Sequence, residues 1–351
     1  MLNSIQLRNF RSYSDASFEF EPSVNIVVGP NASGKTNLLE AVMVLARGRS
    51  YKAGDLELIK YRKDWARLEG LFDASERVVK IENLGESSDK SFLINATNLK
   101  RLNFERSIPI VLFEPNHTQI IAGSPSSRRD WADDILERTQ PGFKSLSANY
   151  RRTLAQRNAL LKRGERFANE QLFAWDVRLG ELGAQIVSAR TELARQINQK
   201  LATTYNKIAG RRSKLHLTYQ SEFPVEHYAS RLVAKLGKSF QTDLARGFTG
   251  HGPHREDFLF ELNAHPAGIT ASRGETRSLI LALKKIEAEL MEQSRGQPPI
   301  LLLDDVFSEL DGKRRRALVE LLAGRQAILT TTDADAVLEY FGRGHKLIAL
   351  K

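Results

Sequence analysis

An octapeptide near the start of the chain constrains its fold more than any other feature of the sequence. Residues 29–36 read GPNASGKT and fit the pattern G-x-x-x-x-G-K-S/T, with an apolar run before them and helix-forming residues after them. A glycine-rich turn between a strand and a helix directs backbone N–H groups at phosphate oxygens, and the positive helix N-terminus favours the same anion. The motif predicts a nucleotide-binding α/β fold in which Lys35 reaches the phosphates of ATP and Thr36 supplies a hydroxyl to Mg²⁺. The residues predicted to surround the nucleotide are Gly29, Pro30, Asn31, Ala32, Ser33, Gly34, Lys35, Thr36 and Asn37.

Two adjacent carboxylates follow a second apolar run. Residues 300–303 read ILLL and precede Asp304 and Asp305, so the sequence predicts a buried strand with carboxylates at its end. In a P-loop protein we expect Asp304 to hold the Mg²⁺ shell and Asp305 to polarise the attacking water, although aspartate is one methylene shorter than the glutamate usual at that position. We therefore predict Lys35, Asp304 and Asp305 as catalytic residues, with Thr36 and Asp304 at the metal. The two motifs lie near opposite ends of the chain, so a large insertion separates two halves of one nucleotide site.

Two shorter motifs flank these carboxylates. Before them, Ser272-Arg273-Gly274-Glu275 opens a predicted helix and fits the S-x-G-E/Q signature with which ABC-type ATPases contact the γ-phosphate held by a second subunit. A helix N-terminus suits that anion, and the same spacing fits a capping box, so both roles are open. After them, SELD fits a D-loop, in which Asp311 either crosses a dimer interface or caps the next helix. Ser272, Gly274, Glu275 and Asp311 complete the predicted nucleotide-binding residues.

Most of the positive charge lies in the middle of the chain. Lys and Arg exceed Asp and Glu by 10 over all 351 residues, and residues 126–214 alone contain 18 basic and nine acidic residues. Apolar residues from 172 to 193 recur at three- and four-residue spacing, which predicts one arm of an antiparallel helical hairpin. A basic stripe on this hairpin would neutralise DNA phosphates, whereas the alternative is a solvated helix face. The predicted DNA-binding residues are Arg151, Arg152, Arg157, Lys162 and Arg163.

The residue types that the chain lacks exclude several classes of protein. It contains no cysteine, which excludes disulfides, thiolate metal sites, iron–sulfur clusters and cysteine nucleophiles. No apolar run approaches the roughly 18 residues that a membrane-spanning helix needs. The opening residues MLNSIQLRNFRSY also lack the apolar core of a signal peptide. We therefore expect a cytoplasmic protein that has no membrane partner.

The motifs together resemble the bacterial RecF family, which belongs with the SMC-like ABC ATPases. Besides the ATPase motifs, the resemblance rests on LRNFRSY at 7–13, VLFEP at 111–115, GPHRED at 252–257 and LLLDDVFSELD at 301–311. It implies an α/β fold with an ABC-type P-loop ATPase lobe, a mixed sheet and a mainly helical second lobe. In that second lobe a short antiparallel helical hairpin takes the place of a long coiled coil.

The resemblance also implies how the chain is divided. We expect residues 1–124 to form the N-terminal half of the ATPase lobe with the P-loop. Residues 125–225 would form the basic helical lobe. Residues 226–351 would form the C-terminal half of the ATPase lobe, with the signature, the Asp304 strand and the D-loop.

The function that the resemblance implies is that of a recombination mediator in DNA replication and repair. Members of this kind dimerise on ATP, hydrolyse ATP slowly as a switch on DNA, and bind double-stranded DNA and single-strand/double-strand junctions at the nucleoid. They act with RecO and RecR to load RecA at gapped DNA. An alternative is the ATPase subunit of a transporter, and a small nucleotide kinase is a further one. The basic hairpin and the wide motif spacing oppose the transporter, and a kinase would leave the signature without a role.

Some positions depart from the family pattern. Ala32 stands where the family often has glycine, and helical φ and ψ angles there would make the exchange harmless. The residues TTTD at 330–333 stand where ABC transporters carry a switch histidine, so Thr332 and Asp333 are the candidate γ-phosphate sensors. His254 and Arg255 in the GPHRED segment either contact DNA or serve packing.

Overall fold

A computed structural model describes residues 1–164, 168–341 and 344–350. The chain is an α/β protein, as predicted. Within these described ranges, no helix is both long enough and apolar enough to cross a membrane.

The chain divides into two compact units. Unit 1 contains Met1–His117 and Glu287–Lys351, and unit 2 contains Thr118–Ile286. Residues 226–286, which we predicted to belong to the C-terminal half of the ATPase lobe, pack within unit 2. The physical reason is that Asp257–Leu262 pairs in a sheet with Leu215–Gln220, on the far side of the predicted boundary.

Strands and helices are numbered along the chain. The strands are β1 Leu2–Phe10, β2 Tyr13–Glu19, β3 Val24–Val28, β4 Trp65–Phe72, β5 Ser75–Asn83, β6 Ser88–Ile94, β7 Thr97–Leu99, β8 Ile110–Phe113, β9 Leu215–Gln220, β10 Asp257–Leu262, β11 His265–Pro266, β12 Ile300–Asp304, β13 Ala327–Thr331 and β14 His345–Ala349. The helices are α1 Lys35–Arg47, α2 Asp55–Leu58, α3 Gln119–Ala122, α4 Pro125–Thr139, α5 Phe143–Arg163, α6 Ala168–Ala209, α7 Tyr228–Lys238, α8 Phe240–Arg246, α9 Ala267–Thr270, α10 Arg273–Arg295, α11 Gly312–Leu322 and α12 Asp335–Leu338.

Unit 1 combines an antiparallel sheet with a parallel sheet. The antiparallel sheet has the order β2-β1-β4-β5-β6-β7, and the parallel sheet has the order β14-β3-β13-β12-β8. β3, β8, β12 and β13 are short, nearly continuous apolar runs, as expected of parallel strands that are covered on both faces. In β4 and β5 buried and more exposed residues alternate, which is typical of a sheet with one solvated face. These strand directions confirm the mixed α/β class.

Helix α1 fills the core of unit 1. Its residues 38–46 are buried all around the helix, and all of them except Glu40 belong to one hydrophobic cluster with residues of β1, β4, β5, β12 and β13. A helix that is apolar on every side is stable only when neighbouring elements cover each face. α1 therefore stays fixed with its N-terminus at the end of the glycine-rich turn.

Unit 2 contains the predicted helical hairpin. Successive contacts join Arg157 to Asp176 and Leu161 to Leu172, so α5 and α6 run antiparallel. Of the apolar residues predicted to form the heptad seam of α6, Leu172, Leu179, Leu182, Ile186, Ala189 and Leu193 are all buried. The sheet of unit 2 has the strand order β11-β10-β9.

Candidate functional site

The glycine-rich turn connects β3 to α1, as the octapeptide predicts. β3 ends at Val28 and α1 begins at Lys35. Gly34 has φ +100°, and a Cβ there would lie 2.8 Å from Tyr13 Oη and 3.0 Å from Ser12 Oγ. Only glycine fits this conformation and this space, so the turn brings backbone N–H groups to the start of α1 without steric cost.

Ala32 contradicts the expectation of helical backbone angles. Its φ is +67°, in the left-handed region. An alanine there places its Cβ against the following carbonyl, which costs about 1–2 kcal/mol relative to glycine. The family's glycine at this position therefore has a conformational reason, and this chain keeps some strain in the loop.

Ala32→Gly should stabilise the protein by about 1 kcal/mol, because the relief of strain exceeds the added entropy of the unfolded chain. Urea unfolding would measure the change in the free energy of unfolding. Ala155→Gly, at an exposed position of α5, is the matched control and should destabilise the protein by about 1 kcal/mol. Destabilisation by both substitutions would contradict the left-handed strain.

The phosphate-binding loop is chemically suited to a triphosphate. Lys35 is 8% exposed, and its Nζ donates to the carbonyl oxygens of Gly29 and Pro30, each at 2.7 Å. Within the described residues, Ser33 Oγ is buried and has no hydrogen-bond partner. A buried hydroxyl without a partner is costly, and a phosphate oxygen would satisfy it. The residues present therefore fit the nucleotide that the motif predicts.

The predicted metal ligands lie side by side. Thr36 Oγ1 donates to Asp304 Oδ1 at 2.8 Å, across 268 positions of sequence. Thr330 lies beside them: its Oγ1 is 3.1 Å from the same Asp304 oxygen and accepts the backbone N–H of Asp305 at 3.0 Å. β12 and β13 pair in parallel with Asp304 opposite Thr330, which fixes this contact. A hydroxyl and a carboxylate are the oxygen ligands that Mg²⁺ prefers.

Thr330 was not predicted from the sequence, in which Thr332 and Asp333 were the candidates. Thr332 is exposed, and the backbone N–H of Asp333 donates to Thr331 Oγ1. A threonine at the end of an apolar strand is a common sequence feature, and only the pairing with β12 gives it a role. The sensor assignment of Thr332 and Asp333 stays a prediction.

Two further groups at Asp304 were also missed. Lys52 Nζ lies 3.1 Å and Tyr51 Oη lies 3.4 Å from Asp304 Oδ2. Lys52 supplies a positive charge at the carboxylate, and burial is the main cause that raises the pKa of Tyr51, which keeps it protonated. The available signal was the run RSYK at 49–52, which directly follows α1.

A buried ion pair supports this side of the site. Glu40 of α1 is 1% exposed and accepts from Arg11 Nε at 2.7 Å and Nη2 at 2.8 Å. Ser50 also donates to Glu40. A bidentate pair of this kind fixes geometry well. The hydrogen bond from Ser50 holds the residue before Tyr51 and Lys52 against α1.

Asp305 directly follows β12 and has φ +51°. Ser308 Oγ donates to its carbonyl oxygen at 2.8 Å and to its carboxylate at 3.3 Å. Burial is the main cause that raises the pKa of Asp305 above its usual range. A raised pKa makes the carboxylate a stronger base, which suits the predicted task of polarising water.

The signature and D-loop residues both act as helix caps. In unit 2, Ser272 N donates to Glu275 Oε2 at 2.7 Å and Glu275 N donates to Ser272 Oγ at 3.3 Å, which is a capping box. Arg211 pairs with the same Glu275 carboxylate. In unit 1, Asp311 Oδ1 accepts from Arg314 N at 3.0 Å at the start of α11. Capping accounts for these side chains within one copy of the chain, and their contact with a nucleotide stays a prediction.

The predicted DNA-binding residues divide into two groups. Arg151, Arg152, Lys162 and Arg163 are exposed, and within the described residues no carboxylate pairs with any of them. We call these four residues the basic surface. Arg157 corrects the prediction: it is fully buried, with Nε 2.6 Å from Asp176 and Nη1 2.8 Å from Asp243.

Arg157 is on the buried face of α5, where it binds that helix to α6 and α8, so it cannot face DNA. Its partners Asp176 and Asp243 lie 19 and 86 positions away along the chain. A count of basic residues along α5 therefore could not separate Arg157 from the exposed ones.

His254 serves packing in unit 2. Its Nδ1 is 2.8 Å from Tyr150 Oη and its Nε2 is 3.1 Å from the carbonyl oxygen of Thr249. Burial lowers the pKa of His254 from 6.5 to about 4, so the neutral imidazole is the native form. Its neighbour Glu256 is buried too and accepts from Tyr228 Oη at 2.8 Å. His254 and Glu256 of the GPHRED segment thus belong to a polar network inside unit 2, whereas Arg255 is exposed.

The depressed pKa of His254 makes stability depend on pH. Between pH 6.5 and about pH 4 the unfolded chain binds a proton that the folded chain excludes, so stability falls as pH falls through this window. The loss should be about 2 kcal/mol between pH 7 and pH 5.

Urea unfolding at both pH values should show that His254→Gln removes most of this pH dependence. His265→Gln, at an exposed histidine, should keep it. An unchanged pH dependence in His254→Gln would contradict the assignment.

The chain is similar to known proteins along nearly its whole length. The model of the RecF/RecN/SMC N terminal domain matches residues 1–342. The DNA replication and repair protein RecF of Synechococcus sp. (strain JA-3-3Ab) is 36% identical over 348 residues, covering 94% of this chain and 91% of that protein. RecF of Streptococcus thermophilus (strain ATCC BAA-491 / LMD-9) is 34% identical over 343 residues, covering 95% of this chain and 93% of that protein.

Solved structures agree with the sequence comparison. A structure of the recombination mediator protein RecF-ATPrS in the RecFOR pathway has a TM-score of 0.89 at 31% identity, covering 99% of this chain and 96% of that chain. The SmcHead bound to the C-winged helix domain of ScpA has a TM-score of 0.53 at 16% identity, which shows a shared fold alone. The match along nearly the whole length, together with the P-loop and the Thr36–Asp304 pair, shows that the chain belongs to the RecF family of DNA replication and repair proteins.

Proposed function

We propose that the protein is an ATP-dependent, DNA-binding recombination mediator that hydrolyses ATP slowly and uses hydrolysis as a switch on DNA. The observation that carries the proposal is the 2.8 Å contact between Thr36 Oγ1 and Asp304 Oδ1 at the end of the glycine-rich turn. Two residues from distant parts of the sequence form one oxygen site for Mg²⁺ next to a phosphate-binding loop. A transporter subunit has no observation in its favour.

Each residue of the site has a chemical task in this proposal. The loop N–H groups and Lys35 would neutralise the phosphates, and Thr36 and Asp304 would hold Mg²⁺. Asp305 would orient and polarise the attacking water. A groove of about 550 Å³ beside the start of α1, lined in part by Ser12, Asn37 and Tyr61, offers room for the nucleoside part.

ATP would act through a homodimer. In ABC-type ATPases the signature of one copy meets the nucleotide of the other, and Ser272 and Gly274 are the candidates for that contact here. Two copies would then bring two basic surfaces to one DNA molecule, and such bivalency raises affinity without new contacts. This coupling explains why a DNA-binding protein would need a nucleotide switch.

The partners follow from the family and the chemistry. A neighbouring structure belongs to the RecFOR pathway. We therefore propose that this protein acts with RecO and RecR to load RecA at gapped DNA, and that it is nucleoid-associated in the cytoplasm. Double-stranded DNA and its junctions with single strands are the proposed substrates of the basic surface.

Charge reversal on the basic surface tests DNA binding. Arg151→Glu combined with Arg152→Glu should weaken binding to a duplex, because phosphate contacts are lost and repulsion is gained. The slope of log affinity against log salt should become shallower by about two, since each phosphate contact contributes about 0.9. ATP affinity should not change. Fluorescence anisotropy of a labelled duplex over a salt series, with ATP present, would measure both quantities.

A matched variant controls for net charge. Arg178→Glu combined with Arg195→Glu makes the same change at exposed positions of α6 whose arginines are paired with Glu181 and Glu192. It should leave the salt slope close to that of the parent protein. Equal effects from both double variants would show that net charge alone determines binding, and would remove the basic surface from the proposal.

A further inference from the structure

Arg77 is a buried cation that pairs with no carboxylate among the described residues. It lies on the inner face of β5 and is 8% exposed. Within the part of the chain that the structure describes, its Nε and Nη1 are buried without a hydrogen-bond partner. Its guanidinium lies 5.5 Å from the centre of the Phe72 ring. This cation–π contact is weaker than an ion pair with a carboxylate would be. A buried charge that is left unpaired destabilises a fold.

The groups near Arg77 add positive charge. Burial and the charges of Arg106 and Arg295 lower the pKa of Arg77 to about 10. Arg295 is held in place: its guanidinium stacks 4.3 Å from the centre of the Phe104 ring, and its Nη2 donates to the carbonyl oxygen of Ser107 at 2.6 Å.

Arg106 is exposed in the same segment, between the Phe104 and Ser107 positions that hold Arg295. The acidic group that acts on Arg295 is the exposed Glu105. We call the guanidinium groups of Arg77, Arg106 and Arg295 the arginine cluster. Glu105 offsets only one of their three positive charges, so the cluster has a net positive charge.

The arginine cluster lies away from the nucleotide site of unit 1. The segments that carry Arg106 and Arg295 lead into the first residues of β8 and β12, where Ile300 N donates to the carbonyl oxygen of Pro109. Asp304 and the glycine-rich turn lie at the opposite, carboxyl ends of the parallel strands. A five-residue strand separates the two edges by about 16 Å. One phosphate group could not bridge both places.

We propose that the arginine cluster is a second anion site, which binds a phosphate group. Guanidinium groups match phosphate oxygens in geometry and remain charged at every physiological pH. A phosphate dianion would satisfy the unpaired nitrogens of Arg77 and neutralise the excess charge. The site is independent of the proposed ATP switch, because none of its residues contributes to the P-loop.

Calorimetric titration with inorganic phosphate tests the site. All variants are made in a Lys35→Ala background, which weakens phosphate binding at the P-loop equally in each protein. The background protein should bind one more phosphate than the same protein with Arg77→Met, which keeps an unbranched apolar side chain and removes the charged group. In chloride alone, Arg77→Met should be at least as stable as the background, because it removes an unpaired buried charge.

If Arg77→Met does not fold, a substitution of the exposed Arg106 tests the phosphate site instead. Arg106→Gln should weaken phosphate binding at the arginine cluster by about tenfold. Arg101→Gln, which removes an exposed charge from the same loop, should leave it unchanged. Equal phosphate stoichiometry and affinity in the background and in both cluster variants would overturn the proposal.

A competition experiment identifies the source of the phosphate. If a DNA duplex displaces phosphate from the background protein but not from Arg106→Gln, the cluster binds a nucleic-acid backbone. If the duplex displaces none from the cluster, the ligand is free phosphate or a small phosphorylated molecule. Both results support a phosphate site and differ only in what carries the phosphate.

Discussion

Lys35→Ala is expected to reduce ATP affinity by about 100-fold or more, because removing a buried charge that contacts phosphates costs roughly 2–5 kcal/mol. Lys35 Nζ donates to two carbonyl oxygens of the glycine-rich turn. The ammonium group is therefore already positioned where the phosphates would lie. Calorimetric titration with Mg-ATP would measure the affinity.

Two comparison variants sharpen this experiment. Lys35→Arg keeps the charge and should bind ATP better than Lys35→Ala, yet hydrolyse it poorly, because the longer, planar group cannot take the same position. Lys100→Ala removes an exposed lysine far along the chain and should leave affinity unchanged. Parent-like ATP affinity in Lys35→Ala would remove the P-loop assignment and the proposed ATP switch with it.

Asp305→Asn is expected to lower ATP turnover by about 100-fold or more while keeping Mg-ATP bound. The amide cannot accept a proton from water, whereas Thr36 and Asp304, which would hold the metal, are unchanged. ATP that binds without being hydrolysed should trap the dimer. Phosphate release would measure turnover, and light scattering with and without ATP would measure the dimer.

The control for Asp305→Asn makes the same chemical change elsewhere. Glu320→Gln replaces an exposed carboxylate on α11 by an amide and should hydrolyse ATP at the parent rate. A monomer in the presence of ATP, or parent-like turnover, would show that Asp305 is not the group that polarises water. Another residue of the site would then polarise the attacking water.

Tertiary packing decided which basic residues of α5 are exposed. Along the sequence, Arg151, Arg152 and Arg157 look alike, because all three lie on one predicted helix. Arg157 faces two aspartates, one of which is 86 positions away, and is fully buried. A count of charged residues depends only on composition, whereas the burial of each residue depends on which distant element packs against the helix.

Strand register decided which residues surround Asp304. The carboxylate at the end of an apolar run was predictable, because burial on both faces of a parallel strand requires apolar residues throughout. Thr330 lies beside Asp304 only because β13 pairs with β12 in one particular register. Tyr51 and Lys52 lie beside Asp304 because Ser50 donates to the buried Glu40 of α1 and so holds the chain that follows α1 against this helix. Neither the register of β12 and β13 nor the contact between α1 and the residues after it produces a periodic pattern in the sequence.

By itself, the sequence determined the elements whose physics is local. The glycine-rich turn, the start of α1 at Lys35, the apolar strand before Asp304 and the caps at Ser272 and Asp311 all depend on residues within a few positions of one another. Tertiary structure alone decided the rest. The burial of Arg157 and of Arg77 arises from contacts between distant segments, and sequence spacing does not encode which segments meet.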